Sequence, residues 1–169
     1  MNDDASSATS RPRAIVCDLD GTLVDVRGIR HLVDSSERRD FQAFHQASLE
    51  CPANDGVSAA LSEGRKRGLA IVLVTARDDR WSFLTTMWLN EHQISYDDLI
   101  MRGRRDDRPD HLVKRDFAVS LARKYRVEVA IDDRDDILDV WRSAGFATMK
   151  VEQDGSLSEI CSPSGCRKA

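Results

Sequence analysis

The sequence predicts a doubly wound α/β domain, a parallel sheet with helices on both faces and a small or absent cap. Two observations carry that expectation. Five short apolar runs, at 14–18, 69–75, 99–101, 127–131 and 147–151, are separated by segments of helical period. Acidic and hydroxyl residues cluster immediately after three of those runs. Strand alternating with helix is the pattern of a parallel sheet. A continuous run such as Ala70-Ile71-Val72-Leu73-Val74 suits a strand covered on both faces.

The elements follow in order. Residues 1–12 are Ser/Asp-rich without periodicity and read as a disordered leader. The first strand ends in Cys17-Asp18-Leu19-Asp20-Gly21-Thr22, two carboxylates followed by a glycine turn. Residues 23–55 stand outside the alternation, too short for a second domain, and read as an insertion or flap. Within it Ser35-Ser36 and Glu37 would cap a short helix carrying Phe41, Phe44 and Leu49. A helix over 57–67 stops at Gly68, placed as a C′ glycine. Further helices fall at 79–91, with Phe83, Leu84, Met87 and Trp88, at 111–125 and at 135–144. Residues 152–169, rich in Ser, Pro and Gly towards the end, read as a flexible tail around the folded unit 13–151.

Composition narrows the classes. The 169 residues are 41% hydrophobic and 32% charged, enough for one core, and the net charge of −4 exerts no global pull on nucleic acid or membrane. No apolar run approaches the roughly 20 residues of a membrane span, and the N-terminus lacks a signal pattern, so a cytoplasmic location is expected. Four cysteines are too few for a disulfide scaffold. Cys17 reads as a buried apolar residue, and the Cys161/Cys166 pair lacks the further ligands of a zinc site. A local basic cluster, Arg102, Arg104, Arg105 and Arg108, is interleaved with Asp106, Asp107 and Asp110. It suits either backbone phosphates or a solvated, salt-bridged loop.

In doubly wound sheets, ligands sit beyond the carboxyl ends of the strands. Asp18 and Asp20 follow the first strand, Thr75, Ala76 and Arg77 end the second, and Asp132-Asp133 end the fourth. Two acids one residue apart at a strand end repel each other unless a cation compensates them. The set of Asp18-Leu19-Asp20-Gly21-Thr22, Val74-Thr75-Ala76-Arg77, Lys114 and Ile131-Asp132-Asp133 resembles the haloacid dehalogenase superfamily of phosphotransferases. The resemblance implies a Mg²⁺-dependent reaction through an aspartyl-phosphate. Asp18 would attack phosphorus, and Asp20 would protonate the leaving oxygen and later deprotonate water. Thr75 and the neighbouring amides of Ala76 and Arg77 would hold phosphate oxygens, with Lys114 as a fixed cation. Asp18, the Asp20 carbonyl, Asp132 and Asp133 would hold the metal, Asp133 directly and Asp132 in support. Asp136 suits either a supporting acid or an ordinary first-turn residue.

A closer likeness lies in Arg108-Pro109-Asp110-His111-Leu112-Val113-Lys114, Ala130-Ile131-Asp132-Asp133-Arg134 and Val140-Trp141-Arg142-Ser143-Ala144-Gly145. These resemble the phosphatase half of bacteriophage polynucleotide kinase/3′-phosphatase, which removes 3′-phosphates from DNA or RNA ends. The resemblance adds Arg77 and Asp110 as functional candidates, and an arginine shortly after the first motif, for which Arg27 and Arg30 both qualify. It also implies nucleic-acid 3′ ends as substrate and a separate kinase or ligase as partner. Ala76 stands where the family has glycine, and no G-x-x-x-x-G-K-[ST] occurs, so 5′-kinase activity is not expected. An uncapped site admits a polymer end, with Trp81 or Tyr96 for stacking and the arginine cluster for phosphates. Trp88 and Trp141 lie on apolar stripes and read as core, and the four histidines as surface or helix filler. The competing expectations are a phosphatase of nucleotides or other small phosphoesters, and a non-catalytic end-binding module.

Overall fold

The computed structural model describes residues 11–34 and 40–163. Five parallel strands, β1 (Arg13–Asp18), β2 (Ala70–Asp78), β3 (Asp98–Arg102), β4 (Arg126–Asp132) and β5 (Thr148–Lys150), lie in the order β3-β2-β1-β4-β5. The chain starts in the middle strand, winds to one edge, then crosses back to build the other. The crossover puts the β1, β2 and β4 ends side by side. That is the switch point where the acids were expected.

Side-chain alternation sorts β1 between two cores. Ile15 and Cys17 join α3 (Asp55–Lys66) and α4 (Ser82–Glu91) through Val57, Leu61, Trp88 and Leu89. Ala14 and Val16 face α5 (Asp110–Lys124) and α6 (Asp135–Ser143) through Leu121, Ile137, Leu138 and Trp141. Two-sided burial is why the strands read as unbroken apolar runs. Trp88 and Trp141 are core, as expected, and no described helix is long and apolar enough to cross a membrane.

The described residues of the insertion, 23–34 and 40–54, here termed the flap, have their two ends pinned together. An antiparallel bridge joins Val24 to Ala53, with Asp25 N–H donating to Pro52 O at 2.9 Å and Asn54 N–H to Leu23 O at 2.8 Å. Between them run α1 (His31–Asp34), α2 (Phe41–Ala47) and a 3₁₀ turn at Ser48–Glu50. The cap of α2 is Asp40, whose carboxylate accepts from Ala43 N–H at 2.9 Å. The proposed Ser35-Ser36-Glu37 cap lies outside the described residues, as do residues 1–10 and Cys166.

The ends also differ from expectation. Pro12 O accepts from Arg126 N–H, which ties the last leader residues to β4. Residues 152–161 are not a loose tail: they turn at Asp154–Ser156 and run back antiparallel to β5. Ser158 N–H donates to Lys150 O, and Cys161 and Thr148 exchange both backbone hydrogen bonds at 2.8 Å. The unsatisfied outer edge of β5 attracts the chain that follows it.

Core and flap should differ in what they contribute. Leu121→Ala is expected to cost about 2–5 kcal/mol by leaving a cavity under α5. Asp40→Ala should cost only about 1 kcal/mol by removing one cap. Urea unfolding of both variants checks this.

Candidate active site

The centre of the site is a buried ammonium. Lys114, in the second turn of α5, reaches under the sheet ends so that Nζ donates to Asp18 Oδ1 at 2.6 Å and to Asp132 Oδ2 at 2.8 Å. All three side chains are buried. Asp132 also accepts from Trp141 Nε1 at 3.2 Å and from the Arg134 N–H at 3.3 Å, so the core holds it from three sides. Flanked by two carboxylates, Lys114 keeps its proton more tightly than a free lysine despite its burial.

Asp133 approaches the same point from the next position. Its carboxylate takes an ion pair from Arg30 in the flap and a 3.4 Å hydrogen bond from Thr22 Oγ1. Gly21 makes room for this: φ is +91°, and a Cβ there would sit 2.5 Å from Asp133 Oδ2. Burial pushes the Asp133 carboxyl up, Asp132 pushes it further, and Arg30 pulls it back. Burial likewise raises Asp18 well above the usual carboxylate range; Lys114 opposes this, while Asp132 and Asp133 add to it. One oxygen from each of Asp18, Asp132 and Asp133 can be found within 4.8 Å of the others. Three crowded carboxylates around one ammonium leave excess negative charge, and an all-oxygen donor set is what a hard divalent cation requires. The residues present fit such an ion.

The second acid is held differently. Arg77, itself buried, grips Asp20 from two nitrogens, with Nε on Oδ2 at 2.7 Å and an ion pair to Oδ1. Its remaining donors reach Thr85 Oγ1 at 3.2 Å and Ser48 Oγ at 3.0 Å. Ser48 in turn donates to His45 O at 2.8 Å. Burial works to raise the Asp20 carboxyl, but the charge and hydrogen bonds of Arg77 outweigh it and leave the group below its ordinary value. Expected as a phosphate contact, Arg77 is instead committed to Asp20 and to two hydroxyls.

Thr75 is buried one residue beyond Val74, the β2 residue paired with Asp18. Its hydroxyl accepts from Arg77 N–H at 3.1 Å, which leaves its own proton to donate outward. The β2–β3 ladder shifts between Thr75 and Asp78, so Ala76 and Arg77 bulge out of the pairing.

The remaining candidates separate cleanly. Arg27 pairs with Asp25 and donates to Asp154 O, whereas Arg30 reaches the acid cluster. Asp110 is bound by both Arg102 and Arg134, and Asp136 holds the other side of Arg134. Arg102 also donates to Ala76 O, Asp106 O and Arg108 O, so it fastens the β3–α5 loop from within. Arg108 is taken by Asp106 and Asp116. For these two arginines the salt-bridged loop is what the structure contains. Tyr96 packs on the core.

Two residues were missed. Ser48 carries no motif. His45, assigned to filler, lies at the site with Nδ1 buried and without a hydrogen-bond partner, packed against Phe44 and Trp81. The aromatic neighbours in Phe41-Gln42-Ala43-Phe44-His45 were the available signal.

A family model described as the polynucleotide kinase PNKP phosphatase domain matches residues 12–155. The chain belongs to this family. It is a phosphatase domain of the haloacid dehalogenase type. Among solved structures, the Pnkp1/Rnl/Hen1 complex is similar at 30% identity and a TM-score of 0.72, over 85% of this chain and 47% of that one. The Pnkp1/Rnl/Hen1 RNA repair complex is similar at 29% and 0.71, over 88% and 45%. This chain therefore spans a little under half the length of those chains. A class C acid phosphatase from Bacillus anthracis with tungstate bound shares the fold at 19% identity and a TM-score of 0.57, over 76% of this chain and 55% of that one.

Burial depresses His45 from 6.5 to about 4, with the charges of Arg77 and Arg80 assisting against Asp20 and Asp78. The unfolded chain takes up this proton below about pH 6.5 and the folded chain does not, so the stability is complete above 6.5 and is lost as pH falls towards 4. The wild type should lose about 3 kcal/mol more than His45→Phe across that window. Denaturant unfolding of both proteins between pH 4 and 7 measures it.

Proposed function

We propose that the domain is a Mg²⁺-dependent phosphatase that removes 3′-phosphates from polynucleotide ends, with Asp18 as nucleophile. The observation that carries the chemistry is the Asp18–Lys114–Asp132 cluster beside Thr75 at adjoining strand ends. The polynucleotide substrate rests on the family match and on the Pnkp1 complexes, one of them titled an RNA repair complex.

In the first step a carboxylate oxygen of Asp18 forms a bond to phosphorus as the bond to the ribose 3′ oxygen breaks. Lys114 favours the ionised form of Asp18 against its burial and neutralises charge on the phosphoryl oxygens; the Thr75 hydroxyl and the Ala76 amide orient them. For Asp20 to protonate the leaving oxygen it must first take up a proton, and the negative charge of the incoming phosphate would favour that uptake against the pull of Arg77. In the second step Asp20, now ionised and favoured in that state by Arg77, takes a proton from the water that opens the aspartyl-phosphate. Asp18, Asp133 and the Asp20 carbonyl would hold Mg²⁺, with Asp132 supporting. The ion would offset the charge of the three carboxylates and of the phosphate. Arg30 holds Asp133, and Arg77 acts by aiming Asp20. Asp110 ties the start of the Lys114 helix to Arg134. The domain would work beside a separate kinase or ligase.

Phosphate release from a 3′-phosphorylated oligonucleotide, a 3′-mononucleotide and p-nitrophenyl phosphate should favour the oligonucleotide and require Mg²⁺. EDTA should abolish it, and Asp18→Asn should lower it by more than about a thousandfold. Equal rates on all three substrates, unaffected by salt, would establish the small-phosphoester reading instead.

Ser48 provides a second test. Ser48→Ala removes one donor–acceptor link to Arg77 and should lower kcat by about tenfold for the 3′-phosphate, whose leaving oxygen needs a proton. p-Nitrophenyl phosphate, with its good leaving group, should change less than twofold.

A further inference from the structure

Two surfaces flank the acid cluster, and they differ in charge. Over β4 and β5 lies a cavity of about 690 Å³ lined by five acidic and four basic side chains. The bases there are already paired: Arg27 with Asp25, Arg30 with Asp133, Arg134 with Asp136 and Lys150 with Asp135. Over the ends of β2 and β3 lies a cavity of about 490 Å³ lined by Asp78, Arg80, Arg104 and Arg105. Its single acid is occupied with the backbone. Asp78 accepts from Arg80 N–H at 2.9 Å. Arg105 adopts φ of +69° there.

The guanidinium groups on this side are loosely engaged. Arg80 meets Asp78 at 3.4 Å and Arg104 meets Asp79 at 3.5 Å, with each arginine about two-thirds exposed. Exposed pairs of that length contribute at most about 1 kcal/mol and exchange readily for a phosphate. Beside Arg80 stands an aromatic ladder. Trp81 lies 5.3 Å from the His45 ring, and His45 stacks at 6.5 Å on Phe41, which is 55% exposed. The His45 carbonyl is tied through the Ser48 hydroxyl to Arg77, so the ladder runs from the arginine that holds Asp20 towards solvent. Basic side chains combined with an aromatic platform are what a single-stranded nucleic acid recognises: stacking takes any base, and the arginines follow the backbone.

We propose that this face is the track of a single-stranded polynucleotide, with the terminal base against Trp81 and the following phosphates crossing Arg80, Arg104 and Arg105. The proposal rests on the 3′-phosphatase reading and adds the direction in which the strand leaves the site. From Thr75 to Asp78 is three strand residues, about 10 Å. About three stacked nucleotides span that length. Contact beyond about four nucleotides should therefore add little.

The test measures KM at several salt concentrations for 3′-phosphorylated single strands of one to eight nucleotides. For the wild type, KM should fall with length to about four nucleotides and then level. Arg104→Ala/Arg105→Ala should raise KM for the longer strands five- to tenfold, leave kcat unchanged and reduce the salt slope by about 1.4. Trp81→Ala should raise KM at every length by fivefold or more, and Trp81→Phe should restore it. p-Nitrophenyl phosphate hydrolysis separates a lost track from a damaged site, because a parallel loss there overturns the assignment. A wild type without length or salt dependence means that the polynucleotide reading itself fails. A length-dependent wild type whose arginine and tryptophan variants match it means that the strand leaves elsewhere.

Discussion

One ammonium governs the site. Lys114 is buried between Asp18 and Asp132, so the carboxylates that chemistry requires at the strand ends have a cation within hydrogen-bond reach. Without it, acidic side chains at β1 and β4 would face one another under a dry core. The sheet order serves this pairing. With β1 between β2 and β4, the nucleophile candidate meets hydroxyl donors on one side and supporting acids on the other. Lys114 arrives from below because α5 packs on the opposite face from the flap.

The two aspartates of the first motif have opposite environments. Asp18 shares its lysine with Asp132 and carries an uncompensated burial cost; Asp20 has an arginine to itself. Different environments assign different roles to chemically identical groups. The flap participates in that assignment. Ser48 connects its backbone to Arg77, and Arg30 connects it to Asp133, so one insertion reaches Asp20 through its arginine and Asp133 directly.

What could be read from the sequence follows from how local each signal is. The strands, the main helices and the Asp18, Asp20, Thr75, Lys114 and Asp132-Asp133 set were legible because apolar runs end at the chemistry and the spacing is rigid. Which of Arg27 and Arg30 contacts Asp133 was not, because it depends on how a 3₁₀ turn faces across the fold. Arg102 and Arg108 were indistinguishable from Arg104 and Arg105 as charges in a run; only tertiary contacts turn the first pair inward on Ala76, Asp110 and Asp116. Ser48 carries no motif, and His45 was marked only by its aromatic neighbours, because the insertion that holds both has no catalytic signature of its own.

The returning segment after β5 has a consequence for association. A sheet edge with free N–H and C=O groups templates pairing with another chain. Leu157 and Cys161 bridge to Val151 and Thr148, so this edge is covered by the protein's own backbone. Cutting the chain near residue 155 would keep the phosphatase motifs and expose a strand ready to zip onto a neighbour. The last dozen described residues thus act as a guard against self-assembly.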